Sequence, residues 1–345
     1  MLLHTRNACR ETASRKHYSV CSEIQLYSTE YQTQTNIKMK SEAVESTDSL
    51  ELYLKQITNI FDVSRVINER QGTPHVKRYY TTNRVTYRLT YDWHGSIHCG
   101  ISYDGERKKE DLKEHARIID QYIHATNAKN VLELGSGLGA NSGFLARWNP
   151  FVTFTAVDLS SKPLRHFAKL PNVHFCCGDY HDLSRFDDNS YDIVFAIETL
   201  SCSNDKPQVF REVKKKLKTG GIFVVADVYE RDRATPMSHS EHIMWQLIAR
   251  GVASEPFERV NDVEDYMSKD FSIIETRDLT ANVLPTLDRQ ESLVRSYFAH
   301  PIFAKVVNRF LPLEVTKNAI VVFLLPVSAR RRILCYCLHV LRKVS

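Results

Sequence analysis

Three glycines alternate at Gly135, Gly137 and Gly139, directly after the apolar run Val131-Leu132-Glu133-Leu134, and the chain turns helical from Ala140. That order predicts a buried strand, a tight backbone loop and a helix start. Glycine permits positive φ and leaves no Cβ in a ligand's way, and the N–H groups of the turn and helix start can meet a carboxylate or another anionic group. A nucleotide-like ligand suits such a turn. Asp158 closes the next apolar run roughly 20 residues on, the offset at which a carboxylate accepts ribose hydroxyls. Asp179, in Gly178-Asp179-Tyr180, ends a third run and can accept the amino group of an adenine, with a turn cap as its alternative role. Two side chains of proton-transfer type complete the set: His98 upstream, in an aromatic segment, and Glu198 after the fourth apolar run. Their alternatives are structural, a backbone bond for His98 and a helix cap for Glu198.

Two cofactor classes fit this spacing. Gly135, Gly137 and Ala140 satisfy the dinucleotide fingerprint, which would make the chain a nicotinamide-dependent oxidoreductase. The other class is S-adenosylmethionine, and over Tyr79 to Leu325 the chain resembles the class I methyltransferases. The matching segments are Glu133 to Gly139, Asp158-Leu159-Ser160, Gly178-Asp179-Tyr180, Tyr191-Asp192-Ile193-Val194 through Glu198, and Leu217-Lys218-Thr219-Gly220-Gly221-Ile222-Phe223. Five segments in order are specific where one glycine pattern is not. The resemblance implies S-adenosylmethionine as cofactor, with contacts from Glu133, Gly135, Ser136, Gly137, Gly139, Asp158, Leu159, Gly178, Asp179, Tyr180 and Ile197.

Within that superfamily the chain is similar to the branch acting on lipophilic small molecules, the sterol and tocopherol methyltransferases and their polyketide-lipid relatives. Tyr91 to Gly100 resembles that branch's Trp-Gly-x-Ser-x-His segment, and Ala196 to Cys202 its Ala-Ile-Glu-Ala-Thr-Cys segment. His94 stands between Trp93 and Gly95, and Thr199-Leu200-Ser201 departs in order from the sterol pattern. The implied acceptor is a sterol, a prenylquinone or tocopherol, or a polyketide-type lipid. Methyl transfer is an in-line displacement in which alignment is worth ~7–11 kcal/mol. A hydroxyl acceptor needs a base, His98 first and Glu198 second; for an alkene carbon, Glu198 can steady a carbocation. Glu198-Thr199-Leu200-Ser201 stands where amine-methylating nucleic-acid enzymes of the superfamily carry Asn-Pro-Pro-Tyr. A non-catalytic binding protein on the same fold is a further alternative, because fold does not fix function.

Positioning these groups requires strands and helices in alternation. The apolar runs predict strands at Phe151 to Val157, Val173 to Cys177, Tyr191 to Ile197, Ile222 to Val228, Phe271 to Leu279 and Ala319 to Leu325, besides the first before Gly135. Helical periods fall at Ser160 to Lys169, Lys206 to Leu217, Glu241 to Gly251, Val260 to Met267 and Arg289 to Leu311, with Glu110 to Asn127 ahead of the first strand. The expected fold is α/β: a Rossmann-like, seven-stranded, mostly parallel sheet with helices on both faces, an N-terminal helical extension and an inserted helical cap. Ligand-binding groups then gather at the carboxyl ends of the strands.

The expected divisions are a polar leader over 1–47, a helical or lid segment over 48–128, a core over 129–328 with cap helices around 230–270 and 285–312, and a tail over 329–345. The 345 residues are 43% hydrophobic and 25% charged, as in ordinary globular proteins, and the net charge of +5 is too weak and scattered to predict nucleic-acid binding. Eight cysteines without a Cys-x-x-Cys pair suggest reduced thiols rather than a disulfide or metal framework, so no metal is expected. A cytoplasmic location follows, with mitochondrial targeting through the basic residues Arg6, Arg10, Arg15 and Lys16 as the lesser alternative. Arg330-Arg331-Arg332 followed by Ile333, Leu334, Cys337, Leu338 and Leu341 predicts a short basic amphipathic helix that contacts a membrane surface or docks on its own domain.

Overall fold

Val131, Leu132, Glu133 and Leu134 are all buried in strand β1, Asn130–Leu134, which hydrogen-bonds to a parallel neighbour on each side. A strand covered on both edges and both faces is expected to be largely apolar, and the run keeps to this except at Glu133, whose buried carboxylate accepts from Ser142. The structure, a computed structural model, describes residues 47–69, 72–90, 95–160 and 163–344. Most of the expected leader (residues 1–46), Cys9, Cys21 and the aromatic residues Tyr91 to His94 lie outside the described residues.

Helices α1 (Thr47–Thr58), α2 (Val63–Ile67), α3 (Thr73–Thr90) and α4 (Glu114–Thr126) precede β1. After it come α5 (Ala140–Trp148), β2 (Thr153–Asp158), β3 (Val173–Cys177), β4 (Tyr191–Ile197), α6 (Lys206–Lys216) and β5 (Leu217–Glu230). Helices α7 (His239–Gly251) and α8 (Val260–Asp270) lead to β6 (Phe271–Asp278). The chain closes with α9 (Thr280–Ala299), α10 (Pro301–Phe310), α11 (Leu313–Thr316), α12 (Asn318–Arg330) and β7 (Leu334–Lys343).

The seven strands form one sheet in the order β3-β2-β1-β4-β5-β7-β6. The first five pair in parallel, and β7 runs antiparallel to both β5 and β6, so six strands share one direction. Alternation along β4 divides the core: Ile193, Phe195 and Ile197 join one hydrophobic cluster, Val194 and Ala196 the cluster on the opposite face. A third cluster gathers α1, α7, α9 and α12, with Leu50, Ile57, Met244, Phe298 and Phe323 among its members.

Three expectations fail, and a fourth shifts its bounds. Ala319 to Leu325 is the middle of α12, not a strand; a short buried apolar run has no face to betray its period, and here the whole of Asn318–Arg330 is packed. The tail is strand β7, not an amphipathic helix. Its side chains from Leu334 to Leu341 are buried because β7 sits between β5 and β6, so they have no face for a membrane, and the basic end is held by Lys343 Nζ donating to Asn189 and Leu217. Ser160 to Lys169 forms no helix over its described part, only a single turn: Leu164 N bonds back to Leu138 O, and the bonds from Phe167 and Ala168 both end on Leu164 O. The helix expected from Arg289 begins at Thr280 and accommodates Pro285 in its second turn.

Candidate functional site

The carboxyl ends of β1, β2, β4 and β5 open into one cavity of about 530 Å³. β1 lies between β2 and β4, so the chain leaves it in opposite directions, and such a switch point opens a crevice at the strand ends. Gly135, with φ +67°, starts the turn there; a Cβ on it would lie 2.0 Å from Thr199 Oγ1. Gly139, φ +84°, ends the turn as the N-cap of α5, and a Cβ there would meet the Phe175 ring at 2.6 Å. Backbone conformation and close packing both demand glycine at these two positions.

Three N–H groups of the turn are already bonded. Ser136 N donates to Val157 O at 3.0 Å, Gly137 N to Asp158 Oδ2 at 2.9 Å and Gly139 N to Ser136 O at 2.8 Å. Contrary to the expectation, these three are not waiting for an anionic group. Asp158 Oδ1 accepts from Ser160 N and Oγ, each at 2.9 Å, so the turn and the end of β2 are locked together.

Of the expected cofactor residues, Glu133, Gly135, Ser136, Gly137, Asp158, Leu159, Tyr180 and Ile197 line the cavity, together with both proton-transfer candidates. Gly139, Gly178 and Asp179 stand off its wall. Asp179 Oδ1 accepts from His181 N at 3.0 Å and bonds His181 Nδ1 at 2.6 Å, while His181 Nε2 meets Ser203 Oγ at 2.8 Å. The turn-cap role is therefore the one Asp179 fills in this structure. Gly178 N donates to Asp158 O and sets the end of β3 beside β2.

Glu198 follows β4 with φ +49°, a left-handed conformation rare outside glycine and a mark of local constraint. Cys99 N donates to its Oε1 at 2.7 Å. Burial pushes its carboxyl up to about 7, against the pull of the Cys99 bond and of a hydrogen bond with Tyr336. Tyr336 Oη in turn meets His115 Nε2 at 2.7 Å, in full burial. His115 Nδ1 has no hydrogen-bond partner, which favours the tautomer with the proton on Nε2 and frees the Tyr336 hydroxyl to donate to Glu198.

His98 is 4% exposed, and both ring nitrogens are engaged: Nδ1 with Cys99 O at 3.0 Å and Nε2 with Asn141 Oδ1 at 3.2 Å. Its ring stands edge-on to that of His115, with centroids 4.6 Å apart. The loop carrying it is clamped to α9 by Gly100 N donating to Thr286 Oγ1 and by Ser102 N donating to Asn282 O. Glu133 is also pushed up to about 7 by burial, and Ser142 N and Oγ both donate to its carboxylate.

Several cavity residues escaped sequence reasoning. Asp227, near the end of β5, is buried; Ser201 N and Val228 N donate to it, and burial raises its pKa. The rule that polar groups gather at strand ends could have found it. Tyr336 could not be found, because its segment carries the pattern of a helix. In α3, Lys77, Tyr80, Thr81 and Arg84 fall on one helical face and line the cavity, whereas Tyr79 and Asn83 are packed inward, so this helix is cavity wall on one face and packing element on the other. The apolar walls come from Ile248 and Val252 of α7 and its end, from Val283 and Leu287 of α9, and from Val321 and Leu325 of α12.

The sheet order, the reversed seventh strand, the glycine turn and the acid ending β2 together define a Rossmann-like methyltransferase fold. Residues 132–225 match the family model described as a methyltransferase domain. The chain is 34% identical over 105 residues to a probable phthiotriol/phenolphthiotriol dimycocerosates methyltransferase 2 of Mycobacterium ulcerans, covering 30% of this chain and 40% of the relative. It is 24% identical over 246 residues to the sterol 24-C-methyltransferase of Kluyveromyces lactis, covering 68% of this chain and 65% of that one. The chain spans about half the length of the curated relatives it matches. Among solved structures, the cyclopropane synthase MmaA2 from Mycobacterium tuberculosis superposes with a TM-score of 0.62 at 16% identity, over 80% of this chain and 100% of its own. The [4+2]-cyclase SpnF superposes with a TM-score of 0.61 at 18% identity, over 78% and 94%. These superpositions concern the fold alone.

Proposed function

We propose that this protein is an S-adenosylmethionine-dependent methyltransferase whose acceptor is a lipophilic small molecule of sterol, prenylquinone or polyketide-lipid type. The observation that carries the reading is the division of the cavity: Glu133, Asp158, Glu198 and Asp227 on the strand ends, beside a turn whose Ser136, Gly137 and Gly139 N–H groups are already bonded, and apolar helices around the rest. Four carboxyl groups suit a cationic sulfonium and an amino group. The diphosphate of a nicotinamide dinucleotide would instead require free N–H donors on the turn. That contrast removes support from the oxidoreductase alternative.

When bound, S-adenosylmethionine supplies an electrophilic methyl group. Asp158 would hold a ribose hydroxyl, since Oδ2 has a lone pair beyond the one taken by Gly137 N. Leu159, Tyr180 and Ile197 would flank the purine, with Glu133, Gly135, Ser136 and Gly137 beneath the rest of the cofactor. Gly139, Gly178 and Asp179 would support these positions from behind. Glu198 is the base, or the carboxylate that steadies positive charge on carbon, because it faces the cavity with a pKa near neutral pH. His98, with both nitrogens engaged, orients the loop that delivers Cys99 N to Glu198. The curated relatives, by name, methylate a sterol, a mycocerosate lipid and, in Synechocystis, 2-methyl-6-phytyl-1,4-hydroquinone, which supports a greasy acceptor. A cytoplasmic location is part of the proposal, supported by the free thiols of Cys99, Cys176, Cys177, Cys202, Cys335 and Cys337, and is tested by imaging a fluorescent fusion.

The test is incubation of the purified chain with methyl-labelled S-adenosylmethionine and a lipid extract. Label in a lipid-soluble product is expected. Cofactor binding by calorimetry with no labelled small molecule would overturn the enzymatic reading, and a melting-temperature rise with NAD(P) instead would overturn the cofactor.

A further inference from the structure

Helix α10 presents an apolar face to solvent. Ile302 and Phe310 are 83% and 80% exposed, and Phe303 and Val306 are 61% and 53% exposed. At 3.6 residues per turn these four share an arc of roughly 100°. A lone exposed apolar residue is ordinary, but four aligned on one ten-residue helix form a patch. The helix is not loosely attached: Ala304, on the opposite side, is buried in the cluster that holds Phe298 of α9 and Ile320 and Phe323 of α12. Tyr297 Oη also donates to Asn308 Oδ1 at 2.5 Å.

The charged residues of α10 are both basic, and Asp288, ahead of it on α9, is paired with Arg330. Lys305 and Arg309 are exposed along one edge of the stripe, and Arg289 and Arg295 are exposed on α9. Between residues 289 and 312 the sequence holds a single acid, Glu291. Its side chain is 2% exposed and bonded to Arg295 and Tyr53 Oη, so it offers no negative charge to the surface. An apolar stripe edged by Lys305 and Arg309, on a helix that carries no acid, matches a layer of acyl chains beneath anionic headgroups, where the aliphatic stems lie in the apolar layer and the cations reach the headgroups. We propose that α10 docks this protein on the surface of an anionic lipid bilayer.

The docking helix is continuous with the cavity. It joins α9, which supplies Val283 and Leu287 to the cavity wall, with the segment leading into α12, which supplies Val321 and Leu325. The face in the bilayer and the lining of the cavity thus share their supporting helices. Docking itself stands independently of the reaction. No described helix is long and apolar enough to cross a membrane, so contact through this part of the chain is with the surface.

The test is sedimentation of the full chain with phosphatidylcholine vesicles, with and without phosphatidylserine. Binding to the phosphatidylserine vesicles that falls as salt rises is expected, with little binding to phosphatidylcholine alone. Ile302→Glu with Phe310→Glu should cut the bound fraction at least ~10-fold, and Lys305→Glu with Arg309→Glu should cut it by a similar factor on anionic vesicles. Both pairs are exposed, so the melting temperature should hold. As a second measurement, the fluorescence of Ile302→Trp should shift to the blue on anionic vesicles. Absence of sedimentation, wild-type binding by the Ile302/Phe310 variant, or a dimer in solution that this variant abolishes would each overturn the proposal, the last by assigning the face to a second copy. Cofactor binding by the same variants should be unchanged, which separates failure of docking from failure of the enzymatic reading.

Discussion

The floor of the cavity and its walls are built from different materials. Along the floor, Gly135 to Gly139, Asp158 and Glu198 sit on strand ends and are fixed by hydrogen bonds of specified geometry: Gly137 N to Asp158, Ser160 to Asp158, Cys99 N to Glu198. In the walls, the side chains of Leu287, Val321 and Leu325 meet the cavity through apolar contact alone, although their helices are tied by polar bonds such as Gly100 N to Thr286 Oγ1 and Arg330 to Asp288. A directional floor tolerates little change and recognises one cofactor. A non-directional wall defines volume, so one scaffold can change acceptors without rebuilding its floor.

The contrast can be broken from either side. The largest effect is expected at Glu198→Gln, which keeps an acceptor for Cys99 N but removes the base: turnover should fall by ~10²–10⁴-fold with cofactor affinity held, as measured by single-turnover kinetics and calorimetry. In the wild type, Glu198 must be ionised to act as a base, so kcat should rise with pH through about 7; an acid-limb-free profile would remove Glu198 from the chemistry. The same raised pKa makes the group's contribution to folding stability fall as pH rises from its unfolded value of 4.5 to about 7, since the folded state holds the proton longer.

Leu287→Ala tests the wall. Its side chain is buried, and truncation should lower stability by ~2–5 kcal/mol and raise the acceptor KM while leaving cofactor affinity unchanged. Loss of cofactor binding in this variant would show that floor and wall are not separable. Asp158→Ala should do the reverse, weakening S-adenosylmethionine ~10- to 100-fold and removing its thermal stabilisation. The smallest effect is expected where floor and wall meet: Tyr336→Phe removes one hydrogen bond to Glu198, and the kcat profile should move to higher pH by up to about one unit. An unmoved profile with an unchanged melting temperature would make Tyr336 a packing residue only.

The two regions also differ in how far they can be read from sequence. Local order carries the floor: Val131 to Gly139 must be strand and turn, and Asp158 must end β2, because glycine positions and apolar runs act within a few residues of themselves. Their roles were less legible. Asp179 Oδ1 is engaged by His181, two residues on, and the N–H groups of Ser136, Gly137 and Gly139 by Val157, Asp158 and Ser136; which groups remain free depends on bonds made after folding.

The sequence by itself determined an α/β chain with six of its seven strands, a glycine turn and a line of acids at strand ends, since each of these follows from period and residue type over short spans. Only the tertiary structure decided that Ala319 to Leu325 is helix and that Leu334 to Lys343 is the seventh strand. The first is apolar on every side because it is buried between helices. The second is apolar on both faces because it is inserted between β5 and β6. A residue's period reveals its conformation only when one face meets water, and in both segments neither does. By the same insertion Tyr336 comes to Glu198 from 138 residues away in the chain, a proximity that no local pattern encodes.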